Sequence, residues 1–349
     1  MTRRHVIGTV LLLALLAAHS CHPVEEQEQA SDPIVFSAVV SGDMPATKAE
    51  GMMDDAGLQA AGFGVFACYT GLRTYTESSV SSNFMHNQPL AWDGQRWTYD
   101  PLKYWPGEED HHVSFFAYAP YSDGSNECIS SFCHVQEQSD PWILYRLAEN
   151  VDDQVDLLYA TPQLNLTRSA ANTRVPFSFQ HALACVGDTV TVQCSDELID
   201  RLQGEVTSGS STYIQILLKE ISIDYTLTAK GRLVLWTAGG ANWKTVSSEE
   251  ALVRRSVVCL SDSEYPVPLW DSDTGAATTW TKEGLGIFCI PVEAPGYAQK
   301  ASINISYYVG RVSGGDTFWV ERSITKDLPL AAYVKAGKEL DIQVNLTNL

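Results

Sequence analysis

Residues 336–346, AGKELDIQVNL, carry a pattern with a period of two: Leu340, Ile342, Val344 and Leu346 are apolar, and Asp341, Gln343 and Asn345 between them are polar. Side chains of an extended chain point to opposite faces in turn, so this spacing specifies a half-buried β-strand, with Gly337 as the turn before it. Working back through the chain, the same character returns at 186–192, 213–224, 233–237, 253–260, 286–292, 301–308 and 318–324, at the spacing of a β-sandwich. No window sustains the i, i+3, i+4, i+7 apolar period, and helical turns are expected only at 196–202 and 249–253. The fold class is therefore all-β.

The first half reads less cleanly. IVFSAVV (34–40) is β-branched and apolar, an N-terminal strand carried by Ile34, Val35, Phe36 and Val39, and SGDMPATKAEG (41–51) after it is a loop. Residues 63–69 form a second strand, and the Ser- and Thr-rich stretch 71–88 is expected to be a long surface loop. Asp93-Gly94, flanked by Trp92, Trp97 and Tyr99, predicts a hairpin. A last strand of this half is expected at 112–118.

Ahead of these strands, Arg3 and Arg4 precede an apolar run at 6–18, which reads as a signal peptide over residues 1–20. The run is roughly 13 residues, short of the ~20 that cross a bilayer as a helix. The residues that follow it, Ala18-His19-Ser20-Cys21, resemble the lipobox of bacterial lipoproteins, in which the cysteine is acylated and becomes the first residue; Cys21 is the expected lipidation site and the outer membrane the expected partner. Ordinary cleavage near Ser20 is the alternative. Glu25, Glu26 and Glu28 make 21–33 an acidic tether.

The formal charge is −19, about −21 without Arg3 and Arg4, and no Lys or Arg cluster follows, which excludes nucleic acid as a partner. At this length and 45% apolar composition the mature chain is expected to form two β-sandwich domains, 34–170 and 171–349, divided in the polar stretch 165–173. An exported chain meets oxidising conditions, so Cys128 with Cys133, or Cys185 with Cys194, is a candidate disulfide; burial as small hydrophobes is the default for cysteines in apolar runs, such as Cys68 and Cys289.

Catalytic motifs are missing: there is no HExxH, GxSxG, P-loop or GxGxxG after a strand, and no spacing of a zinc site. His111 and His112 beside Glu108, Glu109 and Asp110 read as a polar loop, and His181, in an apolar run, as a core histidine. The expectation is a non-enzyme without cofactor or metal.

Several blocks together carry a family likeness: FGVFACY (63–69), NFMHNQPLAWDGQRW (83–97), YDPLKYWPGEEDHHVSFFAYAPY (99–121), VDLLYA (155–160), VPFSFQHALACV (175–186) and the closing AGKELDIQVNL. In order and spacing they resemble the fimbrillin-like family of Gram-negative surface lipoproteins, across almost the whole mature chain. The resemblance implies two tandem transthyretin-like (Greek-key) β-sandwich domains, a lipid-anchored place at the cell surface, and assembly with other fimbrial subunits by addition of a terminal β-strand. In polymerising members a protease removes the N-terminal strand after an arginine. Here no arginine lies between Cys21 and Phe63, only Lys48, so Lys48 is the candidate cleavage point and a tip, accessory or anchor subunit is favoured over a repeating stalk. The terminal-strand residues are Leu340, Ile342, Val344 and Leu346, which complete their own sheet or add to a neighbour's open edge. The alternative function is a glycan-binding surface lipoprotein, with Trp92, Trp97, Trp105, Trp270 and Trp280 as stacking candidates for a host or bacterial glycan.

Overall fold

The computed structural model describes residues 32–41, 52–78, 81–125, 127–169, 174–206, 212–237, 240–245, 251–261, 266–292 and 298–347. The chain is all-β, with four sheets, three short α-helices and two 3-10 turns among these residues.

The first sheet runs, edge to edge, Phe36–Val40, Val175–His181, Leu158–Ala160, His112–Ala119, Phe63–Gly71, Met85–Trp92 and Trp97–Thr98, with Gln163–Leu166 also paired to His112–Ala119. A second sheet joins Ile129–Phe132 and Trp142–Arg146 to Lys230–Thr237 and Gly240–Thr245. The third has Ala184–Cys194 at its centre, with Trp280–Lys282 and Ile287–Cys289 on one side and Glu339–Leu346 on the other. In the fourth, the sixteen-residue strand Tyr213–Thr228 pairs with Leu252–Leu260, Val267–Asp271 and Lys300–Ser313, and Asp316–Asp327 forms the edge beyond Lys300–Ser313.

Three cores lie between these layers. One face of the first sheet buries an aromatic set that includes Phe36, Phe63, Trp97, Trp105, Phe115, Phe177 and Phe179. Its other face, through Phe66, Phe116 and Tyr118, packs on Ile143, Tyr145, Leu233 and Leu235 of the second sheet. The third and fourth sheets enclose an aliphatic core built on Val190, Val192, Ile216, Leu218, Ile303 and Ile305. The polarity alternation seen in the sequence is thus spent on two-faced strands.

Strand pairing crosses the division expected at 170/171. Val175–His181 lies in the first sheet between Phe36–Val40 and Leu158–Ala160, and Lys230–Thr237 pairs with Trp142–Arg146 in the second. Both links arise where one continuous stretch serves two sheets: Tyr213–Thr228 passes through Ala229 into Lys230–Thr237, and Val175–His181 passes into Ala184–Cys194.

Three local expectations are corrected. Part of the anticipated loop 71–88 is strand Met85–Trp92, whose Met85, Asn87 and Leu90 are buried; the buried Asn87 amide donates to the Ser122 carbonyl at 2.8 Å and accepts from Tyr118 Oη at 2.7 Å, which satisfies a polar group the sequence suggested was solvated. Helix Asp55–Ala61, capped by the Asp54 carboxylate accepting from Gly57 N, was not anticipated because Leu58 is its one buried side chain. The residues from Leu252 onward, expected to end a helical turn, belong to a strand.

The anticipated disulfides do not form: no bridge joins Cys128 to Cys133 or Cys185 to Cys194. Cys185 and Cys194 stand at opposite ends of one strand, nine residues apart and so roughly 30 Å at ~3.3 Å per residue, far beyond the ~7 Å limit between Cα atoms of a bridge. Cys128 and Cys133 likewise flank the strand Ile129–Phe132 at its two ends. Burial pushes Cys68, Cys194 and Cys289 up to about 12, so these thiols stay protonated packing groups.

Candidate functional site

The first strand, Phe36–Val40, lies at an edge of its sheet and pairs in parallel with Val175–His181, Phe36 opposite Val175 and Val40 opposite Phe179. Its lead-in continues the ladder on another segment: Ile34 N donates to the Lys103 carbonyl at 2.9 Å, Trp105 N to the Asp32 carbonyl at 3.1 Å, and Tyr99 Oη to the Ile34 carbonyl at 2.8 Å. Ile34 and Phe36 are fully buried, Val35 is half-buried, and Val39 is exposed at 52%. The Phe36 ring stacks on Phe177 at 5.7 Å and meets Tyr99 and Phe115 edge-on at 5.5 and 5.8 Å. At its far end, Val40 N donates to Asp55 Oδ1 at 2.6 Å, so the unforeseen helix holds the strand's exit.

The last strand, Glu339–Leu346, is also an edge strand in parallel pairing, here with Ala184–Cys194: Leu340 opposite Val186, Ile342 opposite Val190, Val344 opposite Val192 and Leu346 opposite Cys194. All four apolar side chains enter the aliphatic core, and Asp341, Gln343 and Asn345 face solvent. Within this chain the strand therefore completes its own sheet. A register shift between Val186 and Val190 accommodates Gly187, whose backbone is left-handed at φ +73°; a Cβ there would lie 3.2 Å from Ile342 Cδ1. Glu339, at the start of the strand, has its carboxyl held above the ordinary range by burial first and then by Asp188 and Asp341.

A buried polar tie sits between the two strands' sheets. His181 Nδ1 and Asp156 Oδ2 are 2.6 Å apart, and the same oxygen accepts from Met53 N at 3.0 Å. His181 is a core residue, as expected, although its Nε2 is buried with no hydrogen-bond partner. Elsewhere, the His111 ring nitrogen contacts Tyr69 Oη at 2.6 Å and His112 lies 3.2 Å from the Arg73 carbonyl. No group of three or more His, Cys, Asp or Glu among the described residues is placed to hold a metal ion.

Cys21 and Lys48 lie outside the described residues. Of the tryptophans proposed for stacking, Trp97, Trp105 and Trp270 are buried core residues, and Trp92 and Trp280 are half-buried. The tryptophan that does face solvent, Trp319, was not singled out, because in the sequence it sits inside an ordinary strand pattern.

The fimbrillin-like family model matches residues 47–239. Fimbrium subunit Fim1C of Phocaeicola vulgatus is 24% identical over 199 residues, a match covering 54% of this chain and 48% of that protein, so the alignment spans about half the length of the relative. The crystal structure of a fimbrial protein from Bacteroides vulgatus is similar in fold, with a TM-score of 0.56 and 18% identity, over 90% of this chain and 96% of that one.

Proposed function

The chain belongs to the fimbrillin-like family, and from that membership we propose that it is a cell-surface fimbrial subunit, structural or adhesive, exported as a lipoprotein through Cys21 and joined to other subunits by terminal-strand addition. The observation that carries the reading is the edge position of both terminal strands. Among the described residues Phe36–Val40 and Glu339–Leu346 each pair with a strand on one side, the lead-in of the first adding bonds to residues 103–105, so a strand of similar pattern from another subunit can take the place of either without opening an inner ladder. Such a role needs neither a catalytic constellation nor a cofactor. The missing arginine between Cys21 and Phe63 favours a tip, accessory or anchor subunit that keeps its first strand, with Lys48 as the cleavage point if the strand is removed.

Mass spectrometry of the mature N-terminus from native cells tests this. An acylated Cys21 peptide on the intact chain is expected; a chain beginning after Lys48, together with SDS-resistant ladders, would instead assign it to a polymerising shaft. An unmodified Cys21 would remove the lipid anchor from the proposal.

A further inference from the structure

All nine tryptophans fall within the described residues, and Trp319 alone among them is exposed, at 43%. It lies on Asp316–Asp327, the edge strand of the fourth sheet, directly across from Gly310. A Cβ built on Gly310 would come within 2.3 Å of the indole Cζ3 and 2.6 Å of Cε3 and Cη2. The six-membered ring therefore lies over the Gly310 backbone, a position open only because glycine has no side chain. Tyr308 meets the indole edge-on, with centroids 6.3 Å apart at 71°. Lys219 Nζ sits 5.4 Å from the Tyr308 ring centroid and bonds Glu321 at 2.9 Å.

Cross-strand partners share a face of the sheet. Gly310 is opposite Gln215 on its other side, and Gln215 is opposite Asp271, to which its Nε2 donates at 2.8 Å. One row across four strands thus presents a carboxylate, an amide, a bare backbone and an aromatic ring. The neighbouring row, Tyr308 and Glu321, adds a second ring and a second carboxylate. Phe318 and Val320 alternate to the opposite face and do not extend the apolar patch.

We infer that this face is a saccharide-binding subsite, in which the solvent-facing side of Trp319 stacks on the C–H face of a pyranose and the Gln215–Asp271 pair and Glu321 bond its hydroxyls. The apolar area is one ring wide and bordered by hydrogen-bonding groups, which matches a ligand with a flat apolar face and a polar rim. Carboxylates in the row and a formal charge of −19 disfavour an anionic ligand or an anionic lipid surface. An added strand from another chain would engage the free backbone edge of Asp316–Asp327, and it would have no use for a ring turned onto the sheet's face. The inference is independent of strand exchange and of the lipid anchor.

Saturation-transfer NMR on the mature chain with methyl β-galactoside, methyl β-glucoside and sorbitol tests it. Transfer to the ring C–H protons of at least one glycoside is expected, with a millimolar dissociation constant suited to one sugar on one ring, and none to sorbitol, which has the hydroxyls but no rigid ring face. Trp319→Ala is expected to weaken binding by about tenfold or more, Gln215→Ala several-fold, and Trp319→Phe less than Trp319→Ala, while Trp280→Ala leaves it unchanged. Unchanged thermal unfolding of the edge variants shows that the fold is intact. No transfer to either glycoside, or binding that survives Trp319→Ala, overturns the inference; loss of self-association by Trp319→Ala in sedimentation, with glycoside binding unaltered, overturns it in favour of a second copy of the chain on this face.

Discussion

The first and last strands occupy equivalent places, each at a sheet edge and each in parallel pairing, yet they are held by different means. Glu339–Leu346 inserts four aliphatic side chains between two sheets, a gross contribution of roughly 6–12 kcal/mol at ~1.5–3 kcal/mol per buried side chain. The first strand inserts only Ile34 and Phe36 completely, roughly 3–6 kcal/mol on the same basis, and adds ring contacts and bonds from its lead-in to residues 103–105. By completely buried side chains alone, the two edge strands of one chain thus differ about twofold. The more weakly held one is the better candidate for exchange.

Truncation measures that difference most directly. Removing residues 338–349 takes away a contribution comparable to the whole ~5–15 kcal/mol stability of a typical protein, so the truncated chain is expected not to fold, as read by loss of near-ultraviolet circular dichroism. Removing residues 21–41 is expected to leave a folded chain with a lowered Tm and an open groove at Phe115 and Phe177 that binds a hydrophobic dye; unfolding on a par with the C-terminal truncation would abolish the contrast. Gly187→Ala, which puts a side chain into a left-handed backbone beside Ile342, is expected to cost about 1–2 kcal/mol in chemical denaturation. Gly275→Ala, at φ +67° with nothing within 4 Å of its would-be Cβ, is expected to show the backbone cost alone, so that any excess at Gly187 measures the contact with Ile342.

The smallest expected effect concerns pH. Because the Glu339 carboxyl is held above its ordinary range in the folded chain, protonation favours the folded state. That stability is fully present below the ordinary carboxylate pKa and is lost as pH rises through the raised value. Glu339→Gln is therefore expected to flatten the slope of stability against pH on the mildly acidic side, and an unchanged slope would show that Glu339 does not set it.

Much of this architecture was legible residue by residue. The alternation of Leu340, Ile342, Val344 and Leu346 predicted both strand and buried face, and the Asp93-Gly94 hairpin joins Met85–Trp92 to Trp97–Thr98 as expected. Met85–Trp92 itself was obscured by His86, Asn87 and Pro89, since a buried asparagine reads as solvated until its partners Tyr118 and Ser122 are placed. The candidate site was half legible: the terminal strands were named from their own residues, but the exposed indole at Trp319 was not, although the Gly314-Gly315 turn is a local hairpin signal that sets Gly310 across from it.

Local alternation, composition and turn chemistry determined by themselves that this chain is all-β, where most of its strands run, and which side of its last strand is apolar, because those properties depend on a residue and its immediate neighbours. Tertiary structure alone decided the parallel partners of the two terminal strands, the sharing of Val175–His181 and Lys230–Thr237 across the expected division, and which of nine tryptophans faces water. The terminal strands find partners more than a hundred residues away and Lys230–Thr237 finds Trp142–Arg146 more than eighty away, contacts that no local pattern encodes, and an indole's exposure depends on which segments the whole fold brings around it.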